Sequence, residues 1–397
     1  MTDALATADP ARRRGLVGAI ACVGVFGASA TLSFTLIGLT LEAQGVDGLW
    51  IGVNTAMASL AMLFGAPLAP RLMARIGVAA FLGVCLIAAA VWLPLFYLFD
   101  DYWWRLVARL ALGIATAGLF FGSEFWIVSS APPARRGRVV ALYAAALSLG
   151  FASGPALLAL IGTEGWTPWL IGAAICLAAL LPLAAGADGA PQADEGEARP
   201  IREDLFLLWR FAGRAPSLIW AVALFGAVEF GAIGLVPVWG VRLDMTEDMA
   251  LTLAAAIAFG GLVFQPLLGW AADRTPERPL LLACGVYCVL VAALAPALVG
   301  SPTALTVLFL SWGGVAAGLY TISLTALGGR YQGAELAAAN AAMVSAYGLG
   351  ALVGPPAVGV AMDVLGPHGL SVVLAAGALA YSALAARRLT MAPRPRI

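Results

Sequence analysis

Apolar residues in this chain come in long runs separated by short polar breaks. The runs are 15–40, 49–70, 78–98, 104–130, 139–162, 168–185, 216–240, 249–271, 280–299, 303–328, 336–362 and 370–386. A helix needs about 20 mainly apolar residues to cross a bilayer. No stretch shows the strict alternation of a lipid-facing barrel strand, and an open strand leaves its backbone unsatisfied in lipid. The pattern predicts an all-α integral membrane fold with twelve transmembrane helices in two six-helix bundles. It divides the chain into a tail (1–14), a first bundle (15–185), a linker (186–215), a second bundle (216–386) and a tail (387–397). The linker opens polar and punctuated by Gly and Pro, so flexibility is expected there. Residues 205–214 mix Leu, Phe and Trp with Arg210 and Arg214. They read either as a short helix lying in the membrane interface or as an inner extension of the next span.

Composition removes other classes. Of 397 residues, 62% are apolar and 11% charged, with a mean hydropathy of +0.94. Soluble domains are about 45–50% apolar and about 25% charged. That excludes an ordinary cytosolic enzyme, a nucleic-acid binder and a disordered chain. Twelve spans would use roughly 240 residues, leaving little for a soluble domain.

Charge sets the orientation. All 22 basic residues are arginine. Nineteen lie before the first run, after the last, or in every second loop: Arg12–Arg14, Arg71, Arg75, Arg135, Arg136, Arg138, Arg199, Arg202, Arg210, Arg214, Arg274, Arg278, Arg330, Arg387, Arg388, Arg394 and Arg396. The alternate loops, near Glu42, Asp100, Glu164, Asp244 and Asp363, hold only Arg242. Arginine is retained on the cytoplasmic side, so both termini are expected there. The first run reads as an uncleaved helix rather than a signal peptide. The lack of lysine and the compact loops point to a bacterial inner membrane. The five cysteines fall in apolar runs and the one histidine, His368, in a loop. Neither a disulfide framework nor a metal or cofactor site is expected.

An internal repeat organises the two halves. Gly150-Phe-Ala-Ser-Gly154-Pro155 recurs as Gly350-Ala-Leu-Val-Gly354-Pro355, and Ala117-Gly118-Leu119-Phe120 as Ala317-Gly318-Leu319-Tyr320, both at an offset of 200 residues. Phe26-Gly27-Ala28 matches Phe225-Gly226-Ala227 at 199. Parallel repeats of this kind are typical of transporters that bind solute between the halves.

These motifs resemble the major facilitator superfamily. Gly269-Trp-Ala-Ala-Asp273-Arg274 is similar to its Gly-x-x-x-Asp-Arg loop; the counterpart ending Pro70-Arg71 lacks the acid. Arg109-Leu-Ala-Leu-Gly113 resembles its fourth-helix element. Gly150-x-x-x-Gly154-Pro155 resembles the fifth-helix element of proton-driven antiporters, with Leu158 and Ala159 in place of the usual glycine pair. Within the superfamily, Ser123-Glu124-Phe125-Trp126, Arg136-Gly137-Arg138 leading to Tyr143, Gly318-Leu319-Tyr320, Ala339-Asn340 and Tyr347 resemble the YcaD-like group. The resemblance implies a carrier of small organic solutes, working as a monomer.

Candidate chemistry centres on Glu229 and Glu124. Each sits inside an apolar run, where a charged side chain costs about 2.5–3.5 kcal/mol and usually faces a cavity. Desolvation favours the neutral form of a carboxyl group, so either would take up a proton and release it when a cavity opens. The alternative is a glutamate satisfied by a hydroxyl or amide of a neighbouring helix. Arg109 reads as a charge that modulates proton affinity or meets an anionic solute, or as a structural hydrogen-bond donor. Asn54, Trp126, Tyr143, Tyr320, Asn340 and Tyr347 are candidate substrate contacts, suited to a flat aromatic or heterocyclic solute, or else packing groups. Gly154-Pro155 and Gly354-Pro355 are candidate hinges or static kinks. Asp273 with Arg274 reads as an inner-face latch or a solvated pair.

The expected function is proton-coupled secondary transport, with export of drug-like solutes favoured over uptake of a nutrient or vitamin-like heterocycle. A carrier fold acting as a membrane sensor or assembly partner is the alternative class. A membrane enzyme would need a catalytic cluster that the sequence does not offer.

Overall fold

The structure is a computed structural model describing residues 10–130, 136–193 and 201–390. Its helices are α1 (Pro10–Ala43), α2 (Gly48–Ile76), α3 (Val78–Leu98), α4 (Tyr102–Ser130), α5 (Arg136–Ile161), α6 (Thr167–Ala178), α7 (Leu180–Ala185), α8 (Ile201–Arg214), α9 (Pro216–Arg242), α10 (Glu247–Arg274), α11 (Glu277–Leu294), α12 (Pro302–Arg330), α13 (Gly333–Leu365) and α14 (Gly369–Thr390). Among the described residues there is no strand, and twelve helical segments are long and apolar enough to span a membrane, α6 and α7 together forming one. The protein is an integral membrane protein.

The start of α10 extends past its apolar run because a polar residue caps it. The Thr246 side chain accepts the Met249 amide at 3.3 Å, with Glu247 and Asp248 in the first turn of α10, where acids complement the helix dipole. Between α3 and its predecessor, Gly77 sits at φ 85°, a conformation that costs glycine little. Arg242 and Arg274 close their helices.

Two compact units emerge. One holds Met1–Thr40 with Met57–Arg199; the other holds Leu41–Ala56 with Pro200–Ile397. The segment 41–56, early in sequence, thus packs within the second unit.

Each unit is built on a glycine seam that follows the repeat. In the first, a Cβ at Gly27 would meet the Leu147 carbonyl oxygen at 2.8 Å, and one at Gly154 would meet the Ala28 oxygen at 2.8 Å. In the second, a Cβ at Gly350 would meet the Ala227 amide at 2.9 Å, and one at Gly354 the Ala227 Cα at 2.6 Å. So α5 lies against α1, and α13 against α9, at a separation only small residues allow. Both helices continue through Pro155 and Pro355 without a break in helical structure.

The described part of the linker touches the first unit at its start. Residues Ala187–Gly189 form a short 3-10 turn, and Gly186 and Gly189 pack against the α1 backbone at Arg14 and Ala11. Further on, α8 is a helix of its own: Ala215, at φ −133° and ψ 55°, separates it from Pro216. Leu208 and Phe211 are buried, whereas Phe206 and Trp209 are 66% and 72% exposed. Phe211 packs edge-on against Tyr331, and Arg214 pairs with Glu335 at 3.1 Å, tying α8 to the start of α13.

Candidate functional site

The second unit gathers the polar candidates most closely. Glu229 lies on α9, about midway along it, and is half-buried. From α13, the Tyr347 hydroxyl donates to Glu229 Oε2 at 2.5 Å. Rings surround that tyrosine: Phe225 at 5.7 Å, Phe230 at 6.0 Å and Tyr320 of α12 at 6.1 Å between centroids. Phe225 and Tyr320 also pack on each other at 6.0 Å. The site is therefore one carboxyl group bonded to a tyrosine, around which three further rings from α9 and α12 pack. Glu229, Phe225, Tyr320 and Tyr347 all keep some accessible surface.

The reason these residues meet is the glycine seam. Gly226, Gly350 and Gly354 let α9 and α13 approach until a phenol on one reaches a carboxylate on the other. The hydroxyl partner is what a purely structural glutamate would also have. What distinguishes Glu229 is that the bond takes only one oxygen, on a side chain that is not fully buried.

Other candidates are dispersed. Asn340 lies two turns before Tyr347 on α13 and is exposed; Asn54 is fully buried on α2. Beside Asn54, Thr55 fills the space over Gly234 of α9. Arg274 is exposed and stacks over Trp270 at 4.5 Å; the side chain of Asp273 lies outside the described residues. An apolar groove of about 340 Å³, lined by Trp220, Ala227, Leu349, Val353 and Gly377 among others, holds none of the polar candidates.

In the first unit, Arg109 is 2% exposed. Its Nη1 donates to Ser33 Oγ at 2.8 Å, and its guanidinium sits 4.3 Å over the Phe34 ring. Ser33 in turn donates to the Ala30 carbonyl at 2.8 Å. Arg109 does not pair with Glu124, which is half-buried on the same helix. Arg105 lies one turn before Arg109. It is 1% exposed, bound to Asp100 at 2.8 Å and to the Phe99 carbonyl at 3.2 Å. Trp126 is fully buried against Gly15, and Tyr143 is half-buried on α5.

Sequence reasoning missed one cluster. Within the second unit, Arg242 grips Glu42 through two bonds of 2.8 Å and reaches Asp363 at 3.0 Å. Asp363 also accepts the Gly48 and Leu49 amides at 2.8 and 2.9 Å, capping α2. The available signal was Arg242 itself, the lone arginine in loops otherwise free of them.

Long apolar helices, a carboxyl group at mid-span and repeated glycine seams define a membrane carrier. Residues 18–331 and 252–397 match the Major Facilitator Superfamily, and the chain belongs to that family. It is 23% identical, over 236 residues, to the uncharacterized MFS-type transporter YfkF of Bacillus subtilis (strain 168); the match spans 57% of this chain and 58% of that one. The fold is similar to that of the nucleoside transporter NupG, with a TM-score of 0.74 and 14% identity over 97% of this chain and 100% of that one. It is also similar to a D-xylose-proton symporter, with a TM-score of 0.69 and 16% identity over 93% and 96% of the two chains.

Proposed function

We propose that the protein is a proton-coupled secondary transporter of a small organic solute, working by alternating access, with Glu229 as the group that takes up and releases the proton. The observation that carries this is the Glu229–Tyr347 pair: an acid at mid-span, held by one hydrogen bond and not fully buried. Such intramembrane acids mark proton relays and solute paths. When the cavity is wet, the carboxylate is ionised and accepts the tyrosine hydroxyl; when it is dry, protonation removes the charge. Glu124 is a second exchange candidate, and Arg109, a cation held by a hydroxyl and a ring, biases the field in the first unit.

Tyr347, which bonds the acid, and Tyr320 and Phe225, which pack on Tyr347, suit a solute with a flat or heterocyclic part. Trp126, Tyr143, Asn54 and Asn340 are secondary contacts in this scheme, used in other stages of the cycle. Asp273–Arg274 and the Gly-Pro elements at 154–155 and 354–355 are proposed as gating elements. The chain sits in a bacterial inner membrane as a monomer, both termini cytoplasmic, and favours export. Arginine placement supports the orientation, and the fifth-helix motif supports the direction.

The test is solute exchange and proton-driven flux in reconstituted vesicles between pH 5 and 9. Unchanged protein should show a marked pH dependence of flux. Glu229→Gln should give a profile flat within a factor of about two and lose proton-driven accumulation, as expected when one titrating group governs the cycle. A Glu229→Gln profile that follows the parent's would remove Glu229 from the mechanism.

A further inference from the structure

We propose that the outer face of α8 docks on the surface of the bilayer, with Phe206 and Trp209 set among the headgroups and Arg210 and Arg214 on the phosphates of anionic lipids. This surface lies outside the transport site, and its docking does not depend on the reading of Glu229.

Helix α8 has two opposed faces, and the protein covers one. At about 100° per residue, the buried Leu208 and Phe211 fall on one side, and the exposed Phe206, Trp209, Arg210 and Gly213 on the other. The covered side is fixed: Phe211 packs edge-on at 5.4 Å against Tyr331, and Arg214 reaches Glu335 at 3.1 Å. The open side presents two large aromatic side chains flanked by arginine. Trp is enriched where bilayer meets water, and helices with aromatic residues between cationic ones lie in that plane.

Position brings a bilayer to this face. With 14 residues, α8 is too short to span. Yet Trp209 is only seven residues before Pro216, where the next spanning helix begins, about 10 Å of helix. The membrane that α9 enters is thus within reach of the aromatic pair.

Charge then selects the kind of lipid. Contacts tie α8 to one end of the second unit: beside Tyr331 and Glu335, Arg330 pairs with Glu277, and Arg278 donates to the Arg388 carbonyl at 3.0 Å. The segments meeting there, 201–215, 273–278, 330–335 and 387–390, carry eight arginines against five acids. At the opposite end, 41–48, 242–248 and 363–369 carry one arginine, Arg242, against six acids. Only the α8 end complements an anionic surface. A further aromatic–cation pair stands there: Trp270 is 60% exposed, with Arg274 at 4.5 Å over its ring. A second copy docking by the same face would set these arginines against one another, which like charge opposes. Arg214 gives Glu335 a hydrogen bond from Nη1, and a guanidinium has five N–H donors, so the same side chain can also hold a phosphate. Docked, α8 fixes the start of α13 at the membrane surface.

The experiment uses the full chain with Gly213→Cys, nitroxide-labelled, in nanodiscs of phosphatidylcholine alone or of an equal mixture with phosphatidylglycerol. An added Cβ at Gly213 meets nothing within 4 Å, and the native cysteines are buried. Collisions with oxygen, which concentrates in lipid, and with a nickel chelate, which stays in water, report the depth of the label. The anionic nanodisc should move the label toward oxygen and away from nickel. Molar salt, which cuts the screening length to about 3 Å, should undo the move. Arg210→Gln should lower the docked-to-free ratio about fivefold, as one arginine leaving an anionic surface does, and Arg210→Lys should keep it. Phe206→Ser with Trp209→Ser should lower it by about tenfold or more. A label at Gly300→Cys, in the loop between α11 and α12 at the acidic end, should not respond to lipid composition. The lipid and salt arms need no substitution beyond the label, so they stand even where a variant fails to fold. A label equally open to nickel in both nanodiscs, one depth with and without phosphatidylglycerol, or an Arg210→Gln profile matching the parent's overturns the proposal. So does spin–spin broadening between copies with loss of both collisions, which would mark a second chain on this face.

Discussion

A Gly350→Val chain is expected to accumulate at less than about a tenth of the parent level and to elute as aggregate. The added Cβ would press into the Ala223 carbonyl and come within 2.9 Å of the Ala227 amide, both backbone atoms of α9. Backbone cannot rotate out of the way as a side-chain end can. Overpacking ordinarily costs about 1–3 kcal/mol, and here the helices themselves must separate, so more than about 3 kcal/mol is expected. Separation also pulls Tyr347 away from Glu229, three residues beyond Gly226 on the same seam. The control is Gly348→Val, two residues away on α13, where an added Cβ meets nothing within 4 Å. Size-exclusion profiles and thermal melts of the two variants decide it. Equal behaviour would show that the seam is not what holds α9 and α13 together.

The second large effect concerns Arg242→Ala. It leaves Glu42 and Asp363 facing each other without their shared cation. Hydrogen bonds to charged groups contribute about 1.5–3 kcal/mol. Arg242 and Glu42 are 18% and 19% exposed, so solvent screens part of the attraction, and the lower half of that range is expected. Each 1.4 kcal/mol is about a tenfold shift in an equilibrium. The segment 41–56 should therefore leave its seat in the second unit about ten times more often. Ile51, fully buried in that segment, reports it: in an Ile51→Cys background, labelling by a membrane-impermeant maleimide should speed up about tenfold on removing Arg242. The native cysteines are all buried and give little background. A charge swap, Arg242→Glu with Glu42→Arg, should restore part of the protection. Unchanged labelling would mean the cluster caps α2 and does nothing more.

How far the sequence carried these conclusions differs between fold and site. Spans were legible because crossing a bilayer demands a length of apolar residues that nothing else in the chain imitates. Val78–Leu98 was readable to the residue, with Gly77 before it and Asp100 and Asp101 after. Ends such as Glu247 were missed because capping places polar residues inside the helix, where an apolar window stops short. The separation of α8 from α9 turned on the backbone of a single residue, Ala215, which no periodicity announces.

At the site, Glu229 stood out by being charged in an apolar run, and Tyr347 by its aromatic character. That the two meet, 118 residues apart, is a property of the seam. Arg105 and Arg109 looked alike in sequence, four residues apart near one helix end. Their environments differ because Asp100 lies within reach of one, and Ser33 and Phe34 within reach of the other.

The placement of residues 41–56 has a consequence for any attempt to divide the molecule. Gly359 fits against the backbone of Gly48, and Gly52 against that of Pro355. A fragment beginning at the central linker would lack those residues and present a vacant, glycine-lined trough along α13. Supplying the missing piece on a separate N-terminal polypeptide should let the pieces complement one another, as in a swapped dimer, whereas either produced by itself should be cleared by the cell's proteases.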